Sequence, residues 1–360
     1  MRVNKNQPKN NYQPHRFPYL WRLADGYPAK GIEAHGCKVF GTFICGGGSS
    51  MGYKLAGYEH LGGVELDPTI SAIYKENHHP KYLYTMDIRD FNKLENLPEE
   101  LYNLDLLDGS PPCSTFSTAG SREKAWGKEK KFAEGQKLQR LDDLVFVYCD
   151  TIAKLKPKVC LLENVSGLVK GNGKIYTKAV VTRLNEIGYN VQVFLLNGAT
   201  MGVPQRRERS FIIGLRKDFK LPKLALNFNE APILFGEIAD FKGKKISGEK
   251  YMLLWNNRKR GDGNQSLANL RLFGKPANFG QSYLYLDRVC PTITTHKDCV
   301  FHFEKPLLAS EEEIMKVTTF PIDYNWGGKD LWFLTGMSVA PIMAAQISYQ
   351  IYKQWLSKIK

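Results

Sequence analysis

Three features of this chain predict an α/β fold, a doubly wound and mostly parallel sheet accompanied by a second, smaller domain. Apolar runs of strand length alternate with helical patterns from Cys37 to Arg216. The first of these runs passes through a glycine-rich turn straight into a helix-like segment, the arrangement by which open α/β sheets bind ligands at strand ends. After Arg216 the alternation stops, and Lys-rich, glycine-containing segments with scattered aromatics continue to Asp287, which places a boundary there.

Residues 1–36 are basic and contain Arg16, Tyr19, Trp21 and Arg22; they are read as a loosely packed extension in preference to a docking arm. Strands are predicted at Val39 to Ile44, Gly63 to Leu66, Leu104 to Leu107, Val159 to Leu162, Val191 to Leu196 and Ser210 to Gly214. The best helix runs from Gln136 to Leu155, where Leu141, Leu144, Tyr148, Ile152 and Leu155 recur at three- and four-residue steps before Pro157 stops it. A second covers Thr177 to Ile187. Ala340 to Ile359 is again helix-like, so the chain is expected to return to its first domain. The division that follows is an extension over 1–36, a first domain over 37–216, a second region over 217–300 and a return over 301–360.

The 360 residues are 43% hydrophobic, enough for one large domain and a smaller one. Fifty Lys and Arg against 36 Asp and Glu give a formal charge of +14, which favours a polyanionic partner such as nucleic acid. The seven cysteines include no Cys-x-x-Cys pair, so neither a disulfide framework nor a metal site is indicated. There is no run of 18 apolar residues and no apolar signal core near the N-terminus, so a soluble, cytoplasmic protein without a membrane partner is expected, as a monomer.

Chemistry concentrates at strand ends. Residues 108–120 read Asp-Gly-Ser-Pro-Pro-Cys-Ser-Thr-Phe-Ser-Thr-Ala-Gly and place Cys113 beyond an apolar strand, after two rigid prolines. A buried, inert thiol is the competing reading. Cys45 to Gly52 forms the glycine loop; its spacing is not the G-x-G-x-x-G of dinucleotide folds, which disfavours a nicotinamide oxidoreductase. Glu65 ends the next strand, where a carboxylate accepts ribose hydroxyls, and Asp87 is placed to accept from an adenine amino group.

In this order the residues resemble the C5-cytosine DNA methyltransferase family, in its bacterial or phage restriction-modification form, from Phe43 to about Ser348. Phe43 with the glycine loop is similar to the first S-adenosyl-L-methionine motif, Ser110-Pro-Pro-Cys113 to the nucleophile motif, and Glu163-Asn164-Val165 to the catalytic carboxylate motif. Gln205-Arg206-Arg207-Glu208-Arg209 resembles the Gln-x-Arg-x-Arg motif, Arg288 to Thr295 the element after the variable region, and Gly336-Met337-Ser338-Val339 the last cofactor motif. The resemblance implies an S-adenosylmethionine-dependent, Rossmann-like fold. It further implies that Phe43 stacks on adenine, Glu65 binds ribose, Leu66 packs beside the base, Asp87 and Ile88 hold the adenine edge, and Ser338 and Val339 close the methionine end. Gly46, Gly47, Gly48, Ser110 and Pro112 complete the expected cofactor set. Cys45, Ser114 and Met337 depart from the usual glycine, glutamine and asparagine; Cys45 is expected to cost loop freedom, since glycine alone visits positive φ cheaply. Residues 121–140, rich in Lys and Arg, correspond to the family's mobile catalytic loop.

Cytosine C5 is too weak a nucleophile to be methylated directly, so Cys113 is expected to add at C6 while a protonated Glu163 engages N3. Arg209 is assigned to the base or the Cys113 neighbourhood and Arg207 to supporting contacts. The target base must be flipped from duplex DNA. Residues 217–287 carry twelve Lys or Arg against seven Asp or Glu and stand where the target-recognition domain belongs. Arg258, Arg260 and Arg271, with Ser114, Arg122 and Gln205, are the expected DNA contacts. A separately acting restriction endonuclease is a possible companion. An RNA cytosine methyltransferase of the same fold and a catalytically silent DNA-binding protein are the alternatives.

Overall fold

The structure is a computed structural model, and it describes residues 11–112, 143–171 and 173–359. A seven-stranded sheet runs in the order β3-β2-β1-β4-β5-β7-β6. Its strands are β1 (Lys38–Thr42), β2 (Glu59–Glu65), β3 (Tyr82–Thr85), β4 (Leu106–Gly109), β5 (Val159–Val165), β6 (Tyr189–Asn197) and β7 (Glu208–Arg216). The β1, β2, β3, β4 and β5 pairings are all parallel, whereas β7 lies antiparallel to both β5 and β6. The fold is therefore doubly wound and mostly parallel. Strand order reverses between β1 and β4, which opens the crevice at their carboxyl ends where such sheets bind ligands.

Side-chain alternation divides the sheet into two buried faces. Val39, Leu106, Leu161 and Ile213 enter one core with α1 (Gly48–Leu55) and α10 (Pro341–Gln354). Phe40, Leu107, Leu162 and Ile212 enter the other with α4 (Leu144–Leu155) and α5 (Gly173–Glu186). Adjacent strand residues thus serve opposite cores, the period-two rule of a sheet covered on both sides. The remaining helices on this framework are α2 (Pro68–His78), begun by Pro68 behind an Asp67 cap, and the single turn α3 (Ile88–Phe91), capped by Asp87.

Differences from the sequence reading have local causes. Strand β4 continues through Asp108, and β5 through Glu163 and Asn164; the predicted strands stop short because these buried polar residues look like strand ends. Strand β3 carries no clear apolar run because it is a short edge strand whose residues are only half-buried or exposed. Between 217 and 310 the chain forms α6 (Glu249–Asn256), α7 (Ser266–Phe273) and a two-stranded parallel sheet of β8 (Ser282–Leu284) and β9 (Val300–His302). Two further apolar clusters hold this part together, one around Phe235, Ile293 and Trp332 and another around Trp255, Tyr283 and Phe301. The chain then forms α8 (Glu311–Thr318) and α9 (Leu331–Met337) before α10.

The N-terminal segment, described from residue 11, is not loosely packed at Phe17 and Trp21. Phe17 and Trp21 are buried in the first core, and the Trp21 indole N–H donates to Thr319 O at 2.9 Å. The stretch Leu331–Lys358 is long and apolar enough to cross a membrane, with a mean hydropathy of 1.3, but 83% of that window is buried inside the protein. It supplies core helices, which pass the same compositional test. Trp21→Ala removes a buried ring and strands a buried carbonyl, so it should lower stability by about 3–5 kcal/mol, read from the urea-unfolding midpoint.

Candidate functional site

The carboxyl ends of β1, β2 and β3 carry the residues expected to meet a cofactor. Phe43 follows β1 with φ at 57° and is half-buried, and Cys45 sits at φ 46°. Cys45 thus occupies the left-handed region, which a non-glycine residue adopts at a cost of about 1–2 kcal/mol. Glu65, last in β2, accepts from Cys45 N at 2.9 Å and Asp67 N at 3.0 Å, fixing its carboxylate against the loop. Leu66 follows it, half-buried. Asp87 accepts from Arg89 N at 2.8 Å and pairs with the Arg89 guanidinium, while Ile88 is buried beside it.

The glycines of the loop answer first to packing within the protein. A Cβ on Gly47, whose φ is 74°, would lie 2.1 Å from the His78 ring. On Gly48 it would lie 2.1 Å from Val339 O, and on Gly52 2.4 Å from Pro341 O. Gly46 has more room, and its carbonyl accepts from Tyr324 OH at 2.7 Å. Residues 45–48 are thereby pressed against Ser338 and Val339, both buried and nearly 300 positions away.

At the switch point β4 leads through Ser110 to Pro112. Cys113, Ser114, Arg122 and residues 121–140 lie outside the described residues. Five of the six described cysteines, Cys37, Cys149, Cys160, Cys290 and Cys299, have thiols pushed up by burial, Cys37 and Cys149 to about 12. Such thiols are poorly suited to act as nucleophiles.

Glu163, near the end of β5, is buried, and its Oε1 lies 3.1 Å from Arg209 Nε on the neighbouring β7. Burial raises the Glu163 carboxyl above its usual range, while Arg209, Arg207 and the Ser110 hydroxyl pull it back. Next along the strand, Asn164 donates to Pro111 O at 3.1 Å, tying the carboxylate strand to the Pro-Pro turn. Behind Glu163 lies a residue the sequence reading did not single out. Asp108 is 2% exposed and accepts from Ser49 Oγ at 2.7 Å and Tyr53 OH at 3.0 Å. Desolvation pushes its carboxyl up to about 7. Asp108 was legible only as the polar end of an apolar run.

Four expected site residues make hydrogen bonds within the protein. Arg207 is buried, and its guanidinium donates to Ile293 O, Gly336 O and Ser338 O at 3.2, 2.8 and 2.8 Å, so it braces backbone while its charge still reaches Glu163. Gln205 is fully buried; its side chain accepts from Ile293 N and donates to Val317 O, leaving nothing to offer DNA. Arg258 lies 3.2 Å over the Trp255 ring and donates to Trp255 O and Phe303 O. Arg271 is held by Asp262 and Asn257 O. Arg260 keeps an exposed position beside Asp287. Arg206 and Arg288, both exposed, make no ion pair among the described residues, and Arg288 is stacked 4.1 Å over Tyr285. Both lie in segments that the sequence reading named, but neither was assigned a contact to DNA.

Comparison with known proteins sets this geometry in context. The family model for C-5 cytosine-specific DNA methylase matches residues 38–353. Type II methyltransferase M.FnuDI of Fusobacterium nucleatum is 32% identical over 220 residues, 59% of this chain and 58% of that protein. Type II methyltransferase M1.HphI of Haemophilus parahaemolyticus is 25% identical over 86% of this chain and 85% of its own. The chain spans about half to three-fifths of the length of several such relatives. Among solved structures, a Spodoptera frugiperda DNMT2 mutant superimposes with a TM-score of 0.60 at 16% identity, covering 88% of this chain and 99% of that one, a likeness of fold.

Two outcomes follow from the buried charges. Arg207→Met leaves three carbonyls without their donor and should cost at least about 2 kcal/mol in urea unfolding. Asp108, at about 7 when folded against about 3.9 when unfolded, folds more favourably protonated than charged. Its contribution is therefore full below the unfolded value and is lost as pH rises through 7. Asp108→Asn should accordingly cost more stability at pH 5 than at pH 8, measured by the same titration at both values.

Proposed function

Since this chain belongs to the C-5 cytosine-specific DNA methylase family, we propose that it transfers a methyl group from S-adenosyl-L-methionine to C5 of a cytosine flipped out of duplex DNA, in a restriction-modification setting. The observation that carries the reading is the buried Glu163, paired with Arg209 at 3.1 Å and tied through Asn164 to the turn that leads into Cys113.

The residues present suit such a cofactor. An aromatic ring, a ribose-binding carboxylate and an apolar-acidic pair stand at the carboxyl ends of three adjacent parallel strands, in Phe43, Glu65 and Asp87 with Ile88. Glycine backbone at Gly46 and the Ser338-Val339 segment would hold the methionine end, and Leu66, Ser110 and Pro112 would flank it. When bound, the cofactor supplies an electrophilic methyl group on a sulfonium.

The protein's own residues do the remaining work. The thiolate of Cys113 adds to C6, making C5 nucleophilic. Glu163 gives N3 a proton as negative charge develops there, a contribution of about a hundred- to ten-thousand-fold in general acid catalysis. Arg209 orients the Glu163 carboxyl, and Arg207 braces the strand that bears Arg209. Loss of the C5 proton then expels the thiolate. Residues 217–300 are the target-recognition region, where exposed Arg260 and Arg288, with Arg206 of the preceding segment, are the donors for phosphate or guanine. Double-stranded DNA is the partner in this reading.

Labelled methyl transfer to mixed-sequence duplex DNA tests this, with a tRNA arm run in parallel. Label at cytosine C5 of DNA is expected, abolished by Cys113→Ala and reduced at least a hundredfold by Glu163→Gln. Label on tRNA alone would redirect the substrate assignment.

A further inference from the structure

The Glu163–Arg209 pair raises a chemical question. Burial raises the Glu163 carboxyl, yet the guanidinium beside it favours the charged form and opposes the proton that the ring requires. The answer lies one strand away. Asp108 stands opposite Leu161 in the parallel β4–β5 pairing, and Glu163 is two residues beyond Leu161. Asp108, Leu161 and Glu163 therefore share the sheet face that packs on α1 and α10, with the two acids as diagonal neighbours.

Between them is a cavity of about 10 Å³, lined on its polar side by Ser49, Tyr53, Asp108 and Glu163 and on its apolar side by Leu161 and Phe211. A space of about that size seats one water where two to four polar groups surround it. We propose, on the activity reading above, that Asp108 is a positioning residue for Glu163, storing the proton that Glu163 delivers to the cytosine ring and passing it across a single water in this cavity.

The protons balance without any further reactant. At rest Asp108 is protonated, and Glu163 is a carboxylate paired with Arg209. As the thiolate bonds to C6, the Asp108 O–H breaks, its proton goes to the water, the water gives one to Glu163, and Glu163 gives one to N3. When the thiolate leaves, the N3 proton returns along the same path to Asp108, and the C5 proton departs to solvent. The groups facing Asp108 are consistent with this. Ser49 and Tyr53 on α1, Tyr74 on α2 and Tyr148 on α4 are hydroxyls, and burial holds the three phenols above their ordinary range. Arg207 and Arg209 on β7 act on Glu163. Desolvation, with a smaller push from Glu163, places Asp108 at about 7, so its proton is available near neutral pH.

The test is single-turnover methyl transfer to duplex DNA from pH 6 to 8.5, comparing wild type with Asp108→Asn and Tyr53→Phe. Asp108→Asn should be slower by about ten- to a hundredfold at pH 6, and the ratio to wild type should narrow several-fold by pH 8.5, where the wild-type Asp108 has itself lost its proton. Tyr53→Phe removes a donor that favours the charged Asp108, so the wild-type decline should move to higher pH. A merely structural role for Asp108 gives a ratio independent of pH and an unmoved decline in Tyr53→Phe, and that result would overturn the proton store alone. Failure of the wild type to methylate any DNA would instead overturn the activity reading on which the store depends.

Discussion

A single buried cation joins the parts of this molecule that are far apart in sequence. Arg207 donates to carbonyls of Ile293, Gly336 and Ser338, so the start of β7, the segment after the variable region and the loop between α9 and α10 meet at one guanidinium. An ammonium lacks the planar fork that reaches three acceptors at once, which is why arginine suits the position. This brace holds Ser338 and Val339 against the glycine loop, and that contact in turn leaves no room for a side chain at Gly48, as the His78 ring does at Gly47. The loop is shaped by its own protein before any ligand arrives.

The second organising fact is electrostatic. Asp108 and Glu163 point to one face of the central sheet, where burial penalises their charged forms. Arg209 stabilises charge on Glu163, whereas Ser49 and Tyr53 only moderate Asp108. Two carboxyls in one sheet thus have different environments, and displaced proton affinities of this kind gather where proton transfer is required. Conformational strain accompanies them: Phe43 and Cys45 both occupy positive φ beside the crevice.

The basic residues between Arg206 and Arg288 divide into structural and available charge. Arg258 and Arg271 fasten α6 and α7 to the end of β9 and to the Asp262 turn, which commits part of their hydrogen-bonding capacity there. Arg206 and Arg288 remain exposed on either side of the bridge between Gln205 and Cys290, Arg288 steadied by an aromatic face. Net charge attracts a polyanion, but individual geometry decides which cations can meet it.

The sequence by itself determined the layered α/β class, most strands and helices, and the order of the motifs, because period-two and 3.6-residue apolar patterns and glycine or proline signals are local properties. It also singled out Glu163 and Arg209 through motif order, although their pairing at 3.1 Å appears only in the fold. Only the tertiary structure decided that Arg207 is a brace, that Gln205 is buried, that Trp21 belongs to the core, and that Asp108 shares a cavity with Glu163. Each of these depends on which distant segment lies opposite, and the free energy of a buried polar group is set by those neighbours and not by its place in the chain.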